Sequence, residues 1–271
     1  MADSVLIYSR LVHMLALGVF WSGFVKDMVC LPRPLSPPLQ RITMSGSAAL
    51  EYGFPSTHST NAVSVAFFFL YELHQDTSSP QGSQRLLLLA LGYGYATSII
   101  LGRMYCGMHG FFDVVIGSIL GALLAVVQLA FGQAFDDWVA ADSWTHPFLV
   151  IVLILIAVRF HPEPADNCPC FDDSVAFAGV MIGAEIAHWH FSKTQYAAPG
   201  CPPATVAFDL ETLGWVKTGV RIVTGVVIIF LWRALMKPVL LRSLPPLFRL
   251  VEGVGLTLPR RFFTRARYGC L

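Results

Sequence analysis

Charge is what this sequence lacks. Only 13% of its 271 residues are Asp, Glu, Lys or Arg, against about 25% in an ordinary soluble domain, so such a domain is excluded as a reading of the whole chain. Neither sign dominates, because 18 basic and 17 acidic residues leave a net charge of +1. A nucleic-acid partner is therefore not expected. Cysteine is also sparse, with six in the chain at 30, 106, 168, 170, 201 and 270. Cys168 and Cys170 with His161 suggest zinc, and Glu185 with His188 has the i, i+3 spacing of di-iron helices, yet each set lacks partner ligands. No metal and no other cofactor is expected. Glu185, His188 and His190 read as polar groups satisfied inside a bundle, notable because ionisable residues at membrane depth are usually functional.

Apolar residues are what the sequence has in excess, at 55% with a mean hydropathy of +0.62. Crossing a bilayer takes about 20 of them in a row. Apolar spans run over roughly 4–25, 59–74, 86–104, 111–132, 147–160, 174–191 and 216–236. The expected fold is all-α, a polytopic transmembrane bundle with about seven membrane segments. The spans near 59, 147 and 174 fall short of a full crossing and are expected to extend into their flanks or to tilt. The first span contains Arg10 and His13, with no basic leader and no small-residue cleavage signature, so a cleaved signal peptide is not expected. Between the first two spans, Cys30 to Thr57 carries Pro32, Pro34, Pro37, Pro38 and Pro55, which makes it a structured loop on the membrane face. A second proline- and acid-rich loop is His161 to Asp173. The organisation expected is a membrane-embedded domain over 1–236 and a basic C-terminal segment over 237–271, since the tail from Arg233 holds eight of the 18 basic residues.

Three polar clusters interrupt the apolar pattern: Lys26 to Pro34 (KDMVCLPRP), Pro55 to His58 (PSTH) and Arg103 to Asp113 (RMYCGMHGFFD). The first follows span one, the second precedes span two and the third joins spans three and four, so all three emerge on one side of the membrane. The chemistry that fits is phosphate-ester hydrolysis. Lys26, Arg33 and Arg103 supply three cations, and a guanidinium fork pairs bidentately with phosphate. Where span two begins, the backbone N–H groups of Ser56 and Thr57 can point at an anion, and Ser56 adds a hydroxyl. His109 and Asp113 are four apart on one helical face, so Asp113 can hold one ring nitrogen while the other attacks phosphorus. His58 remains to protonate the leaving alkoxide. Taken singly, each feature has a bland reading, the Arg as a headgroup anchor, the His as a structural donor and P-S-T-H as a helix cap. Together, in order and on one face, accident is a poor account of them.

This pattern resembles the phosphatidic acid phosphatase type 2 superfamily, whose motifs read K-x6-R-P, P-S-G-H and S-R-x5-H-x3-D. Lys26, Arg33 and Pro34 match the first, Pro55, Ser56 and His58 the second, and Arg103, His109 and Asp113 the third. Thr57 stands where the wider family has Gly, and Gly102 where it often has Ser. The threonine narrows the phosphate pocket but keeps its backbone N–H. The stretch CLPRPLSPPLQRITMSGSAALEYGFPSTHST, with YCGMH and HPEPADNCPCFDD, looks closer still to fungal phosphatases of sphingosine and dihydrosphingosine 1-phosphate. That resemblance covers most of the chain up to about residue 190.

The resemblance implies a metal-independent lipid phosphatase of the endoplasmic-reticulum membrane with a lumenal site. In it Lys26, Arg33, Ser56 and Arg103 bind phosphate, His109 is phosphorylated, Asp113 orients it, and His58 acts as acid and then as base. Its partners are the bilayer and a lipid phosphate. Relatives carry more sequence before the first motif, so an N-terminally shortened form is expected. A sphingoid base phosphate also bears an ammonium, for which Glu51 and Asp27 are the candidate carboxylates.

Rival readings are a phosphatidate or isoprenyl diphosphate phosphatase of the same superfamily, and a lipid transporter or scramblase whose path is lined by His188 and His190. Topology holds a conflict. Seven spans put the basic tail on the side of the clusters, which the positive-inside rule makes cytosolic. A further embedded segment within Pro238 to Leu258, interrupted at Pro245 and Pro246, would reconcile the tail with a lumenal site.

Overall fold

A computed structural model of the protein describes residues 3–43, 50–75, 81–141, 143–165, 168–194 and 210–255. Every apolar span expected from the sequence is a helix: α1 (Asp3–Val29), α2 (Thr57–Gln75), α3 (Ser83–Tyr105), α4 (Phe111–Ala140), α5 (Thr145–Arg159), α6 (Cys170–Ser192) and α7 (Leu210–Gly253). Among the described residues there is no strand. Four helices, over Arg10–Val29, Ser83–Tyr105, Phe111–Val139 and Leu213–Val251, are long and apolar enough to cross a membrane. The outer faces of α3 and α4 leave Leu86, Leu91, Leu101, Ile119, Leu123 and Phe131 exposed, as expected where the solvent is lipid. The first helical turns of α2 are polar instead (THSTN), and Ser59, Thr60 and Ser64 are turned into the protein.

Helices α1 to α6 form one compact unit. Helix α7 lies in a second, Ala207–Arg260, so the boundary anticipated at 236 falls inside it. The expected interruption at Pro245 and Pro246 is absent, since one helix runs through Pro238, Pro245 and Pro246. Its only non-helical dihedrals are at Gly214 (φ 74°). The basic residues beyond 255 lie outside the described residues.

In the first unit α1 is the axis. Ala16 and Phe20 pack against Ala178 and Met181 of α6, and Met14 packs against Phe68 of α2 and Ala125 of α4. Polar pairs tie the same helices. Arg10 reaches Asp136 at 3.0 Å and Gln133 at 2.6 Å on α4, and His13 pairs with Glu185 on α6 at 2.6 Å. The Glu185 carboxylate is thereby a structural partner of His13.

Close helix approach positions the end of the unit where the polar clusters lie. α4 carries Gly117 and Gly121, four apart. A Cβ on Gly117 would stand 2.5 Å from the carbonyl oxygen of Ser56, and one on Gly121 would collide with that of Thr60. Small residues at this spacing let two membrane helices touch backbone to backbone, and here they seat the start of α2 on α4. Gly117→Ala must push Ser56 away, an overpacking cost of about 1–3 kcal/mol. It is expected to lower both the melting temperature and kcat/KM, the latter at least tenfold. Gly179→Ala, which meets nothing within 4 Å, is the control that leaves both unchanged.

Candidate active site

The C-terminal ends of α1 and α3 and the N-terminal ends of α2, α4 and α6 meet at one end of the unit. Lys26 sits in the last turn of α1. Cys30, with φ 54°, stops that helix, and the chain turns into the proline-rich loop carrying Arg33. This loop is stitched to the segment before α2 by Gly53 N–H donating to Leu31 O at 2.8 Å, and to the α3–α4 turn by Ile42 N–H donating to Cys106 O at 3.0 Å. At Gly107 of that turn φ is 62°, and a side chain would press on Gln40 O at 2.9 Å.

Arg33 gathers these segments. It is 5% exposed, and its Nε donates to Glu51 O at 3.1 Å while Nη2 donates to Glu51 Oε2 at 2.7 Å. Its Nη1 donates to Met108 O at 2.9 Å and lies 3.1 Å from Nε2 of His109. Lys26 Nζ is 3.9 Å from the same Glu51 oxygen. Thus the first and third clusters converge on one point. His58 stands within electrostatic reach of Arg103, His109, Lys26 and Glu51, which brings the second cluster to the same place. Glu51 is a carboxylate already held by the two cations a phosphate would need.

The second cluster behaves differently from expectation in one respect. The Ser56 N–H donates to Asp113 O at 2.9 Å, so it is not available to an anion. Ser56 is fully buried, and its hydroxyl oxygen accepts from Ser59 N–H at 3.3 Å and Ser59 Oγ at 3.0 Å, which is a helix-capping role. Thr57 lies at the cavity wall, its Oγ1 accepting from Ser22 Oγ at 2.8 Å.

His109 is 3% exposed. Its Nδ1 lies 2.8 Å from Gly53 O, a partner that can only accept. The neutral ring therefore carries its proton on Nδ1 and presents the Nε2 lone pair toward Arg33. Asp113 Oδ2 is 3.7 Å from Nδ1, too far for a hydrogen bond, and accepts instead from Gly110 N–H at 2.7 Å. The carboxylate acts on the ring through its charge, and a main-chain carbonyl does the holding. Burial, aided by Arg33, Lys26 and Arg103 and opposed by Asp113, keeps the imidazole below its usual value near 6.5. A buried imidazole ringed by cations stays neutral, and hence nucleophilic, at neutral pH.

Asp27 does not join the site. It is 2% exposed, lies 3.7 Å from Nδ1 of His161 and faces Cys168 and Cys170, with which it forms the one group of three possible metal ligands among the described residues. The two sulfurs are joined as a disulfide. The ammonium role expected of Asp27 has no geometric basis, because its neighbour Lys26 turns toward the cavity and Asp27 turns away. Asp173, at the start of α6, does line that cavity with Lys26, Glu51 and His58. Sequence reasoning passed over Asp173 and Gly53. The acid-rich FDD stretch was a weak signal for the first, and no residue type signals a carbonyl.

The fold and site together define a helical membrane protein with a cationic, histidine-bearing pocket at one end of its bundle. Residues 7–137 match the model of the PAP2 superfamily, and the chain carries a domain of that family. Over 237 residues it is 40% identical to a dihydrosphingosine 1-phosphate phosphatase of Schizosaccharomyces pombe, covering 88% of this chain and 56% of that protein. A Saccharomyces cerevisiae protein of the same description is 37% identical over 179 residues, or 66% of this chain and 44% of the relative. Human sphingosine-1-phosphate phosphatase 2 is 30% identical over 271 residues, or 96% of this chain and 66% of the relative. The chain spans about half the length of the two fungal relatives. No solved structure matches it.

Because Asp113 is the one group raising the affinity of His109 for a proton, Asp113→Asn lowers it further. The acid limb of the kcat/KM profile is expected to shift to lower pH in this variant, while kcat falls at least tenfold. An unshifted limb, measured with the same substrate so that its own ionisation cancels, would contradict the assignment.

Proposed function

We propose that this chain is a metal-independent lipid phosphate phosphatase that hydrolyses long-chain sphingoid base 1-phosphates through a phosphohistidine. The observation that carries the reading is the contact between Arg33 and Nε2 of His109 at 3.1 Å, with Nδ1 anchored on Gly53 O at 2.8 Å. The attacking lone pair and the cation for the transferred group thus face one another before substrate arrives. The descriptions of the fungal and human relatives support the substrate class.

Lys26, Arg33 and Arg103 bind the phosphate oxygens and stabilise the charge that builds on them in the transition state. The Nε2 lone pair of His109 then attacks phosphorus in line with the ester oxygen. The P–O ester bond breaks, and the leaving alkoxide takes a proton from His58, releasing the free base. Burial and the neighbouring Arg103 lower the pKa of His58 to about 4, and the phosphate dianion, once beside the ring, stabilises its imidazolium form. In the second half His58 accepts a proton from water, whose oxygen attacks phosphorus. The P–N bond breaks, inorganic phosphate leaves, and His109 returns with its proton still on Nδ1. Three side-chain cations do here what a divalent ion does in metal-dependent phosphatases.

Ser56 acts through position, since its backbone joins Asp113 to the start of α2. The lipid tail is held by apolar side chains of the bundle. Our placement of the protein is the endoplasmic-reticulum membrane with the site on the lumenal face. It rests on the family resemblance and on the shared end of the bundle at which the clusters meet.

His109→Ala should abolish both turnover and the acid-labile phosphoenzyme trapped from labelled substrate; undiminished hydrolysis by the purified variant rejects the nucleophile assignment. The orientation is checked separately by inserting a glycosylation acceptor at Ser45, which lies outside the described residues. Modification supports the lumenal side, and its consistent absence beside a working control acceptor refutes it.

A further inference from the structure

The cavity beside Lys26 has a volume of about 340 Å³. It is lined by the polar Lys26, Glu51 and His58 and by the apolar Val19, Ile99 and Phe177. Asp173 joins the lining from the first turn of α6. It stands within electrostatic reach of both Glu51 and Lys26.

Its presence is unexplained by phosphate hydrolysis. Glu51 is compensated by Arg33 at 2.7 Å and Lys26 at 3.9 Å, but among the described residues Asp173 makes no ion pair within 4 Å. An uncompensated carboxylate next to an anion-binding site opposes the binding of any purely anionic ligand. It also repels Glu51. Both penalties vanish if the ligand brings its own positive charge next to its phosphate.

Lys26 marks where that charge must lie. Only 5% exposed, it lines the cavity, and among the described residues its ion-pair partner is Glu51 at 3.9 Å, a separation that leaves its charge open to a further anion. The phosphate therefore belongs on the Arg33 and Lys26 side, and the space between Glu51 and Asp173 is left for a cation. Asp173 also lies beyond residues 7–137, the stretch matching the general family model. The chemistry shared by the superfamily is thus contained in one part of the chain, and this carboxylate is added from another.

We propose that Asp173, which lines the cavity with Glu51, binds the ammonium group of the substrate and so selects lipid phosphates bearing a free amine beside the phosphate. The assignment rests on the proposed phosphatase activity, and Asp173 is its specificity determinant. Discrimination comes from one charge-assisted contact made in a partly desolvated cavity.

The test uses the full-length protein in mixed micelles and reads one ratio, kcat/KM for dihydrosphingosine 1-phosphate over kcat/KM for its N-acetyl derivative. The derivative keeps the phosphate and the chain but has a neutral amide. The wild type is expected to give a ratio well above ten. Asp173→Asn should reduce it at least tenfold, and Asp173→Glu, which keeps the charge, should restore most of it. Melting temperatures are measured alongside, and since Asp173 is accessible no shift is expected.

A wild-type ratio near one, or an Asp173→Asn ratio equal to that of the wild type, overturns the inference and leaves the phosphatase reading standing. Failure of the wild type to release phosphate from either lipid overturns the phosphatase reading and the inference with it.

Discussion

A single buried guanidinium organises this protein. Arg33 is almost wholly removed from solvent, and its donors reach a carbonyl and a carboxylate of Glu51, the carbonyl of Met108 and the ring of His109. A buried cation left without partners costs several kcal/mol, so these segments are not free to drift apart. The loop after α1, the segment before α2 and the turn between α3 and α4 are each irregular backbone at one end of the unit, with few helical hydrogen bonds of their own to hold them. The guanidinium supplies hydrogen bonds that join all three. It also lies 3.1 Å from Nε2 of His109, so the group that secures the architecture is the one to which the proposed mechanism assigns the phosphate.

Much of this was legible in the sequence, for reasons that differ by element. The spans were legible because lipid demands a long apolar run, and each of the seven runs is a helix. The site clusters were legible because their spacing places cations and imidazoles at span ends, and alternating crossings then assign them to one face. What stayed hidden was carried by main chain or by distant packing. Gly53 holds His109 through a carbonyl, and Ser56 spends its N–H on Asp113. Asp27 adjoins Lys26 in sequence, but in a helix adjacent residues do not share a face, so the two part company. The prolines at 238, 245 and 246 signal a break on local grounds, yet the helix continues. In apolar surroundings a freed backbone group has no water to turn to, so the remaining bonds of the ladder are kept.

The bundle separates two demands. Polar residues of α2 are spent on packing against α4, where Gly117 and Gly121 admit them, and the apolar faces of α3 and α4 are left for lipid. Stability within the unit comes from close backbone contact and a few intramembrane ion pairs such as Arg10 with Asp136. The residues assigned to the proposed reaction sit on segments that these contacts immobilise, and rigid placement of reacting groups is itself a catalytic contribution.

The bond from the His109 ring to Gly53 carries a consequence for genetics. Its acceptor is part of the polypeptide spine, so no exchange of side chains can delete it. A survey that only removes side chains would therefore register His109 and Asp113, and would miss the atom that fixes which nitrogen carries the proton. Only an edit to the chain itself, such as an ester in place of that peptide link to weaken the oxygen as an acceptor, would bring it to light.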